Sequence, residues 1–271
     1  MLLGFPVSFA RMGETHAGRA AIVTGAGSGI GRATAELLLA EGGSVVVSDI
    51  ESASLDWCTA HERAVVAPAD VTDEGANDAL VALAVDHFGG LDGAMLNAGV
   101  SCSGSITDLP MDSFDQAMNV NVRAVALGIR AAVPAMQARG GGSIAVTAST
   151  SGQRGDPGMW AYNTSKAAVI NLVRSAALDL GIHEIRVNAV APGPTITGMT
   201  ERLQSMPDAY NALARRTARQ RWATADELAA VFGFLLSDAS TAVTGTTINA
   251  DGGIAANTGQ FLPPELPGGT Q

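Results

Sequence analysis

A tyrosine and a lysine stand four residues apart in the segment Tyr162-Asn163-Thr164-Ser165-Lys166. In an α-helix this spacing places both side chains on one face, so the phenol and the ammonium group lie close together. A positive charge within a few ångströms favours the phenolate and lowers a tyrosine pKa, which is normally about 10. The pair therefore predicts a proton-transferring group, although an exposed helix face can also carry Tyr and Lys at this spacing.

A glycine-rich turn follows the apolar run at residues 20–23 and leads into a helical pattern over residues 32–41. The turn reads Thr24-Gly25-Ala26-Gly27-Ser28-Gly29-Ile30-Gly31. It fits TGxxxGxG but not GxGxxG, because Ile30 occupies the position of the last glycine. Such glycines let the backbone approach a pyrophosphate, whose charge is stabilised by free N–H groups at the helix start. A flexible loop is the alternative interpretation.

Asp49 ends the second apolar run, residues 44–48, and lies 18 residues beyond Gly31. A carboxylate at this place accepts hydrogen bonds from the adenosine ribose and repels a 2′-phosphate. No Lys or Arg follows Asp49 immediately, and none lies within the glycine turn. With the turn in register, Asp49 predicts NAD rather than NADP, whereas taken alone it could be a solvated strand end.

Strand-like and helix-like segments alternate along the 271 residues. The strand-like runs are residues 20–24, 44–48, 64–67, 93–97, 143–148, 186–190 and 246–249. Many are rich in Val and Ile without polar alternation, as expected for strands covered on both faces. The pattern predicts a single-domain α/β Rossmann fold, with a doubly wound parallel sheet of seven strands and helices on both faces.

The chain divides into three predicted parts. Residues 1–17 are predicted to be a flexible leader, in which Met1 or Met12 is the start, and residues 18–256 form the catalytic domain. Residues 198–222 are the longest interruption between a strand and a helix. Residues 257–271 form an extended, proline-containing tail, and its apolar stretch 261–267 is predicted to dock on another subunit or beside the substrate pocket.

Further motifs follow along the chain: Asp70-Val71, Asn97-Ala98-Gly99, Asn121, Ser149, Tyr162 with Lys166, Pro192-Gly193-Pro194-Thr195-Ile196-Thr197 and Asn249-Ala250-Asp251-Gly252-Gly253. With these motifs in this order, the chain from about residue 18 to 253 resembles the short-chain dehydrogenase/reductase family. One departure is Leu96, which replaces the first Asn of the family's usual NNAG. The resemblance also implies that residues 198–222 are a substrate lid.

The resemblance implies a set of cofactor-binding residues and a catalytic set. The cofactor-binding residues would be Gly25, Gly27, Ser28, Gly29, Ile30, Gly31, Asp49, Ile50, Asp70, Val71, Asn97, Ala98, Gly99, Tyr162, Lys166, Pro192, Gly193, Thr195 and Thr197. The catalytic residues would be Asn121, Ser149, Tyr162 and Lys166.

Oxidation of a secondary alcohol needs a base for the hydroxyl proton and a donor that stabilises the oxygen while hydride leaves. Tyr162 would be the base and Ser149 the donor. Lys166 would lower the tyrosine pKa and bind the nicotinamide ribose, and Asn121 would hold a water that relays the proton. Ser149 could instead be a turn hydroxyl, but it follows a predicted strand and precedes Tyr162 by 13 residues.

Six residues are substrate-pocket candidates by position: Cys102, Gln153, Met159, Trp160, Met199 and Met206. They suggest an apolar substrate larger than ethanol, although Met and Trp often serve ordinary packing. The substrate itself is not evident from the sequence.

The net charge of −10 argues against a nucleic-acid or anionic-membrane partner, because phosphate contacts need clustered Lys and Arg. A basic cluster stands at Arg215, Arg216, Arg219 and Arg221, and it is either a solvated face or an attractor for an anionic substrate. The two cysteines and four histidines show no metal-ligand spacing, and the histidines are expected at the surface. No apolar run is long enough to span a membrane.

The sequence thus predicts an NAD-dependent alcohol dehydrogenase or carbonyl reductase, cytoplasmic and without a metal. The resemblance implies a homotetramer, paired through helices over residues 113–139 and 162–181. A 3-oxoacyl-(acyl-carrier-protein) reductase is an alternative, disfavoured by Asp49 and by repulsion between two acidic proteins. A non-catalytic NAD-binding regulator or scaffold and a lyase with bound NAD also remain open.

Overall fold

The computed structural model describes residues 14–264. Seven parallel strands form one sheet in the order β3-β2-β1-β4-β5-β6-β7. They are β1 (Ala20–Thr24), β2 (Ser44–Ser48), β3 (Ala64–Val66), β4 (Gly93–Leu96), β5 (Gly142–Thr147), β6 (Ile185–Pro192) and β7 (Thr247–Ala250). The predicted doubly wound Rossmann sheet is confirmed.

Helices cover both faces of this sheet. The α-helices of residues 14–264 are α1 (Gly29–Ala40), α2 (Glu74–Phe88), α3 (Met111–Met118), α4 (Ala124–Ala138), α5 (Trp160–Leu180), α6 (Glu201–Gln204), α7 (Pro207–Arg216) and α8 (Ala225–Leu236). Helices α2, α4 and α5 pack on one face, and α1 and α8 pack on the other. Neither these nor any other described helix is long and apolar enough to cross a bilayer.

The strand β2 shows how one apolar run supplies both hydrophobic cores. Val46 packs in the core beneath α2, α4 and α5, whereas Val45 and Val47 pack beneath α1 and α8. Successive side chains of a strand point to opposite faces, so a strand covered on both faces needs apolar residues throughout. Full burial of one such side chain contributes about 1.5–3 kcal/mol.

The helix expected over residues 113–139 is interrupted. Helix α3 ends at Met118, Asn119–Arg123 form a π-helical turn, and α4 begins at Ala124. The wider turn carries Asn121, whose side chain is fully buried. Hydrogen bonds to a distant loop stabilise this turn, and hydrophobic periodicity alone does not reveal such contacts.

The N-terminal segment differs from the prediction at residues 14–17, and residues 1–13 lie outside the described part. His16 is only 3% exposed, and its backbone N–H donates to Glu41 O at 3.1 Å. The expected surface position is therefore wrong for His16. Burial, together with the charge of Arg19, lowers the pKa of this imidazole to about 4, although a carboxylate oxygen of Glu41 lies 3.5 Å from Nε2.

Candidate active site

The glycine turn after β1 is shaped by close approach to Asp49. Gly25 and Gly29 have φ values of 65° and 54°, in the left-handed region that glycine tolerates. The backbone N–H of Gly27 donates to Asp49 Oδ2 at 3.0 Å, and a Cβ added to Gly27 would lie 2.8 Å from that oxygen. The carboxylate and the start of α1 thus form one concave surface at the carboxyl ends of β1 and β2.

Asn97 joins the ends of three strands beside this turn. Its Nδ2 donates to Thr24 O at 3.1 Å and to Gly25 O at 3.2 Å. Its Oδ1 accepts from Thr147 Oγ1 at 2.9 Å. Asn97 therefore holds the glycine turn in place from the point where the strand order reverses, between β1 and β4, and this is where ligands of such sheets bind.

Lys166 reaches the same network from α5. Its Nζ donates to Thr147 O at 2.8 Å and lies 5.8 Å from the centre of the Tyr162 ring. Complete burial lowers the pKa of Lys166 to about 8, because an ammonium group loses solvation inside the protein. The structure brings Tyr162 and Lys166 to one face of the helix, as their spacing predicted.

Ser149 lies against Tyr162 at the end of β5. Its Oγ accepts from Ser151 N at 3.1 Å, so its own proton remains available for donation. Burial raises the pKa of Tyr162, a hydrogen bond with Ser149 lowers it, and the charge of Asp156 raises it further. For the protein alone, the expected lowering of this pKa is wrong, because desolvation of the phenolate outweighs the nearby favourable groups.

Asn121 is fully buried behind the loop that follows β4. Its Oδ1 accepts from Val100 N at 2.9 Å, and its Nδ2 donates to Val100 O and to Ser165 Oγ, each at 3.0 Å. Both of its N–H groups are thus bonded to protein. Its side chain fixes α5 against the loop. That Asn121 holds a proton-relaying water stays a prediction.

A cavity of about 350 Å³ connects the glycine turn to Tyr162 and Lys166. The residues lining it are Gly25, Ser28, Gly29, Ile30, Asp49, Asn97, Ala98, Gly99, Val100, Thr147, Ala148, Ser149, Tyr162, Lys166, Pro192, Gly193, Thr195, Thr197, Met199 and Thr200. Sequence reasoning missed Val100, Thr147, Ala148 and Thr200, although each lies within a few residues of a recognised motif.

Five predicted cofactor residues do not line this cavity: Gly27, Gly31, Ile50, Asp70 and Val71. Gly31 packs against the Gly25 carbonyl, where a side chain would collide. The Asp70 carboxylate accepts from Thr72 N at 2.9 Å, and this bond lowers the pKa of Asp70.

Among the substrate-pocket candidates, Met199 lines the cavity, whereas Cys102, Gln153, Met159, Trp160 and Met206 do not. Gln153 instead donates to Asn249 Oδ1 at 2.6 Å. Trp160 stacks on Phe114 with ring centres 5.3 Å apart. These side chains are held by neighbours distant in sequence, which the position-based prediction could not include.

The lining fits a nicotinamide dinucleotide. Glycines without side chains form one end beside a carboxylate, and a phenol, a hydroxyl and an ammonium group form the other end. Lys166 is the one Lys or Arg among the described residues that line the cavity. Within residues 14–264, no group of three or more His, Cys, Asp or Glu side chains is arranged to hold a metal ion.

The chain is similar to known reductases and dehydrogenases along most of its length. Residues 25–255 match the family described as Enoyl-(Acyl carrier protein) reductase. The chain is 36% identical to 2-(R)-hydroxypropyl-CoM dehydrogenase of Xanthobacter autotrophicus, covering 88% of this chain and 99% of that protein. It is 38% identical to cis-4-hydroxycyclohexanecarboxylate dehydrogenase of Sinomonas cyclohexanicum, covering 90% and 100%.

A solved structure has the same fold. The crystal structure of levodione reductase matches with a TM-score of 0.83 and 33% identity, covering 89% of this chain and 99% of that one. The fold and site define an oxidoreductase that binds a nicotinamide nucleotide. The chain belongs to the short-chain dehydrogenase/reductase family, and it interconverts a secondary alcohol and a ketone.

Proposed function

We propose that the protein uses NAD, with Tyr162 as the acid and base of the reaction. The observation that carries this proposal is the single cavity that has Asp49 at one end and Tyr162 with Lys166 at the other. When bound, NAD accepts or supplies the hydride. Ser149 donates a hydrogen bond to the substrate oxygen, and Tyr162 exchanges a proton with that oxygen.

The environment of Tyr162 suits proton donation to a ketone. Its raised pKa favours the neutral phenol, which carries the proton that the new alcohol needs. In the reverse direction, the buried ammonium of Lys166 would stabilise the developing phenolate. Asn121 is assigned a positioning role, because its hydrogen bonds are made to Val100 and Ser165.

Asp49 supports NAD over NADP. Its carboxylate is held beside the glycine turn, where a 2′-phosphate would meet a negative charge and no lining Lys or Arg except Lys166 at the far end. The purified protein should use NAD with kcat/KM at least about tenfold higher than NADP, equivalent to about 1.4 kcal/mol. Equal use of both cofactors would exclude this assignment.

The reaction itself can be tested by incubating the protein with NAD and a panel of compounds while NADH fluorescence is recorded. The panel contains secondary alcohols, sterols, cyclic diols and hydroxycyclohexanecarboxylates. NADH formation with any member supports hydride transfer. NAD binding without turnover across the panel would favour a non-catalytic regulator or scaffold, and product formation without net NADH would favour a lyase. A preference for NADPH and acyl-carrier-protein thioesters would favour a 3-oxoacyl-(acyl-carrier-protein) reductase.

The proposed assembly is a cytoplasmic homotetramer. Leu178 and Ile182, at the end of the α5 region expected to pair, are 85% and 83% exposed in the single chain. Two neighbouring apolar side chains in water favour a contact between copies. Sedimentation equilibrium should give four times the chain mass of 27.4 kDa, and a monomer would contradict the proposal. Cell fractionation tests the location.

A further inference from the structure

A second cavity, of about 230 Å³, is lined in part by the loop that begins at Ser149. The segment after β7, residues 251–264, lines one side of this cavity and is called the C-terminal strap. Arg154 of the loop donates to Asn257 O and, at 2.7 Å, to Ala255 O. Arg215 of the lid helix α7 donates to Pro263 O at 2.5 Å. The strap therefore connects the Ser149 loop to the lid.

The strap is folded by its own polar groups as well. Asp251 accepts from Gly253 N at 2.8 Å and from Ala255 N at 2.9 Å. Asn257 accepts from Gly259 N and donates to Phe261 O, each at 2.8 Å. These turns place an apolar wall against the cavity, formed by Leu213, Ile254, Phe261 and Leu262.

Positive charge faces the same space. Arg154 and Arg216 line the second cavity, and Asp156 is the one acidic residue among its described lining. The Asp156 carboxylate already accepts from Ser151 Oγ at 2.6 Å. The residues that line this cavity thus carry a net positive charge, although the net charge of the chain is −10.

Arg216 differs from the other arginines of the basic cluster at residues 215–221. Arg215 is bonded to the strap, and both Arg219 and Arg221 pair with Glu227, at 2.8 and 2.5 Å. The Arg216 side chain makes no hydrogen bond or ion pair with any other residue between 14 and 264. Arg216 lines the cavity, and the five N–H donors of its guanidinium group have no acceptor among the described residues.

We propose that the second cavity binds the distal part of the substrate, which has an apolar body and ends in a carboxylate held by Arg216. This proposal rests on the proposed function, because the cavity begins one residue from Ser149, at Thr150. The apolar wall would bury the body of the substrate, and the guanidinium group would form a charge-assisted hydrogen bond with the carboxylate.

The test measures the reduction, by NADH, of a series of keto acids and of their methyl esters. The number of methylene groups between ketone and carboxylate increases along the series. The wild type should prefer acid over ester by about tenfold in kcat/KM at the length that spans both cavities. Arg216→Gln should abolish that preference through KM, with ester turnover unchanged. Arg174→Gln, which removes the same charge from an exposed site on α5, is the matched control.

A binding measurement separates this inference from the proposed reaction. Hexanoate cannot be reduced, and it should raise the melting temperature of the wild type and of Arg174→Gln more than hexanamide does. Arg216→Gln should lose that difference. The anionic subsite is wrong if Arg216→Gln keeps the difference between hexanoate and hexanamide, or keeps the preference for acid over ester. Reduction of esters by the same protein would still support the proposed function. If hexanoate shows the expected pattern but no ketone is reduced, the proposed function fails and the subsite stands.

Discussion

Asn121 Nδ2 donates to Ser165 Oγ at 3.0 Å, which ties the π-helical turn before α4 to the residue that precedes Lys166. Ser165 Oγ in turn donates to Tyr162 O at 2.8 Å. One buried carboxamide is thus linked, through the Ser165 hydroxyl, to the backbone of α5 at Tyr162. Because Asn121 also bonds the backbone of Val100, the first turns of α5 have a fixed position relative to the loop after β4.

Asn121→Ala should remove the hydrogen bonds that connect the π-helical turn to α5 and to Val100. It leaves the Val100 N–H and the Val100 carbonyl without their partner and removes one of the two hydrogen bonds of the Ser165 hydroxyl, so the free energy of unfolding should fall by about 2–3 kcal/mol. The value of kcat should fall by about tenfold or more as Lys166 loses its position. Urea denaturation and steady-state kinetics measure the two effects.

Asn77→Ala is the matched control for that experiment. Asn77 is also a buried amide, and it donates to Val71 O and Asp73 O at 2.9 and 2.7 Å, on α2. It should lose comparable stability with kcat within about twofold of the wild type. Equal kcat losses in both variants would show that Asn121 acts only on stability.

Tyr162→Phe should remove the proton carrier and keep the ring. Turnover should fall by roughly two to four orders of magnitude, because the group proposed to exchange a proton with the substrate oxygen is removed. NAD affinity, measured by isothermal titration calorimetry, should persist. Near-normal turnover would mean that Tyr162 is not the acid and base.

Asp49→Asn tests the cofactor preference with almost no change in shape. The amide oxygen can still accept from Gly27 N, a bond that is 3.0 Å long in the wild type, but the charge is gone. We expect kcat/KM for NADP to rise by about tenfold while that for NAD falls, since repulsion of the 2′-phosphate is removed. An unchanged NAD-to-NADP ratio would place the discrimination elsewhere.

Gly152→Ala should disturb the Ser149 loop. A Cβ at Gly152 would lie 2.6 Å from the Lys166 carbonyl carbon and 2.7 Å from its oxygen, so the loop must move away from α5. We expect kcat to fall by about tenfold or more. Gly155→Ala in the same loop is the control, because its nearest atom would be 3.9 Å away, at Asn163 Nδ2. Similar kinetics for the two variants would contradict the packing argument.

His16 should make the protein sensitive to mild acid. Its pKa is lowered from 6.5 to about 4 in the folded state, so the unfolded chain binds the proton more readily. This stabilising contribution is fully present above about pH 6.5 and is lost as the pH falls towards 4, by about 3 kcal/mol in total. Below that range it has no further effect.

His16→Leu is the comparison that isolates this group. The difference in unfolding free energy between the wild type and His16→Leu should shift in favour of the variant as the pH is lowered from about 7 to 4.5. Denaturation at several pH values gives that difference. A difference independent of pH would show that His16 does not titrate between its folded and unfolded states.

The sequence by itself determined the elements and the local motifs. The strands, the glycine turn with its left-handed Gly25 and Gly29, and the shared helix face of Tyr162 and Lys166 all follow from backbone preferences and periodicity over a few residues. Asp49 was placed by strand order, since carboxyl ends of parallel strands meet at one edge.

Tertiary structure decided which side chains face the cavities and which are held elsewhere. Gln153 is bonded to a residue 96 positions away, and Arg154 bonds the strap 101 and 103 positions away. The burial of His16 and the π-helical turn at Asn121 likewise depend on distant partners. Such contacts form only when the sheet brings remote segments together, so no local pattern encodes them, and burial rather than residue type then sets the pKa values of Tyr162 and Lys166.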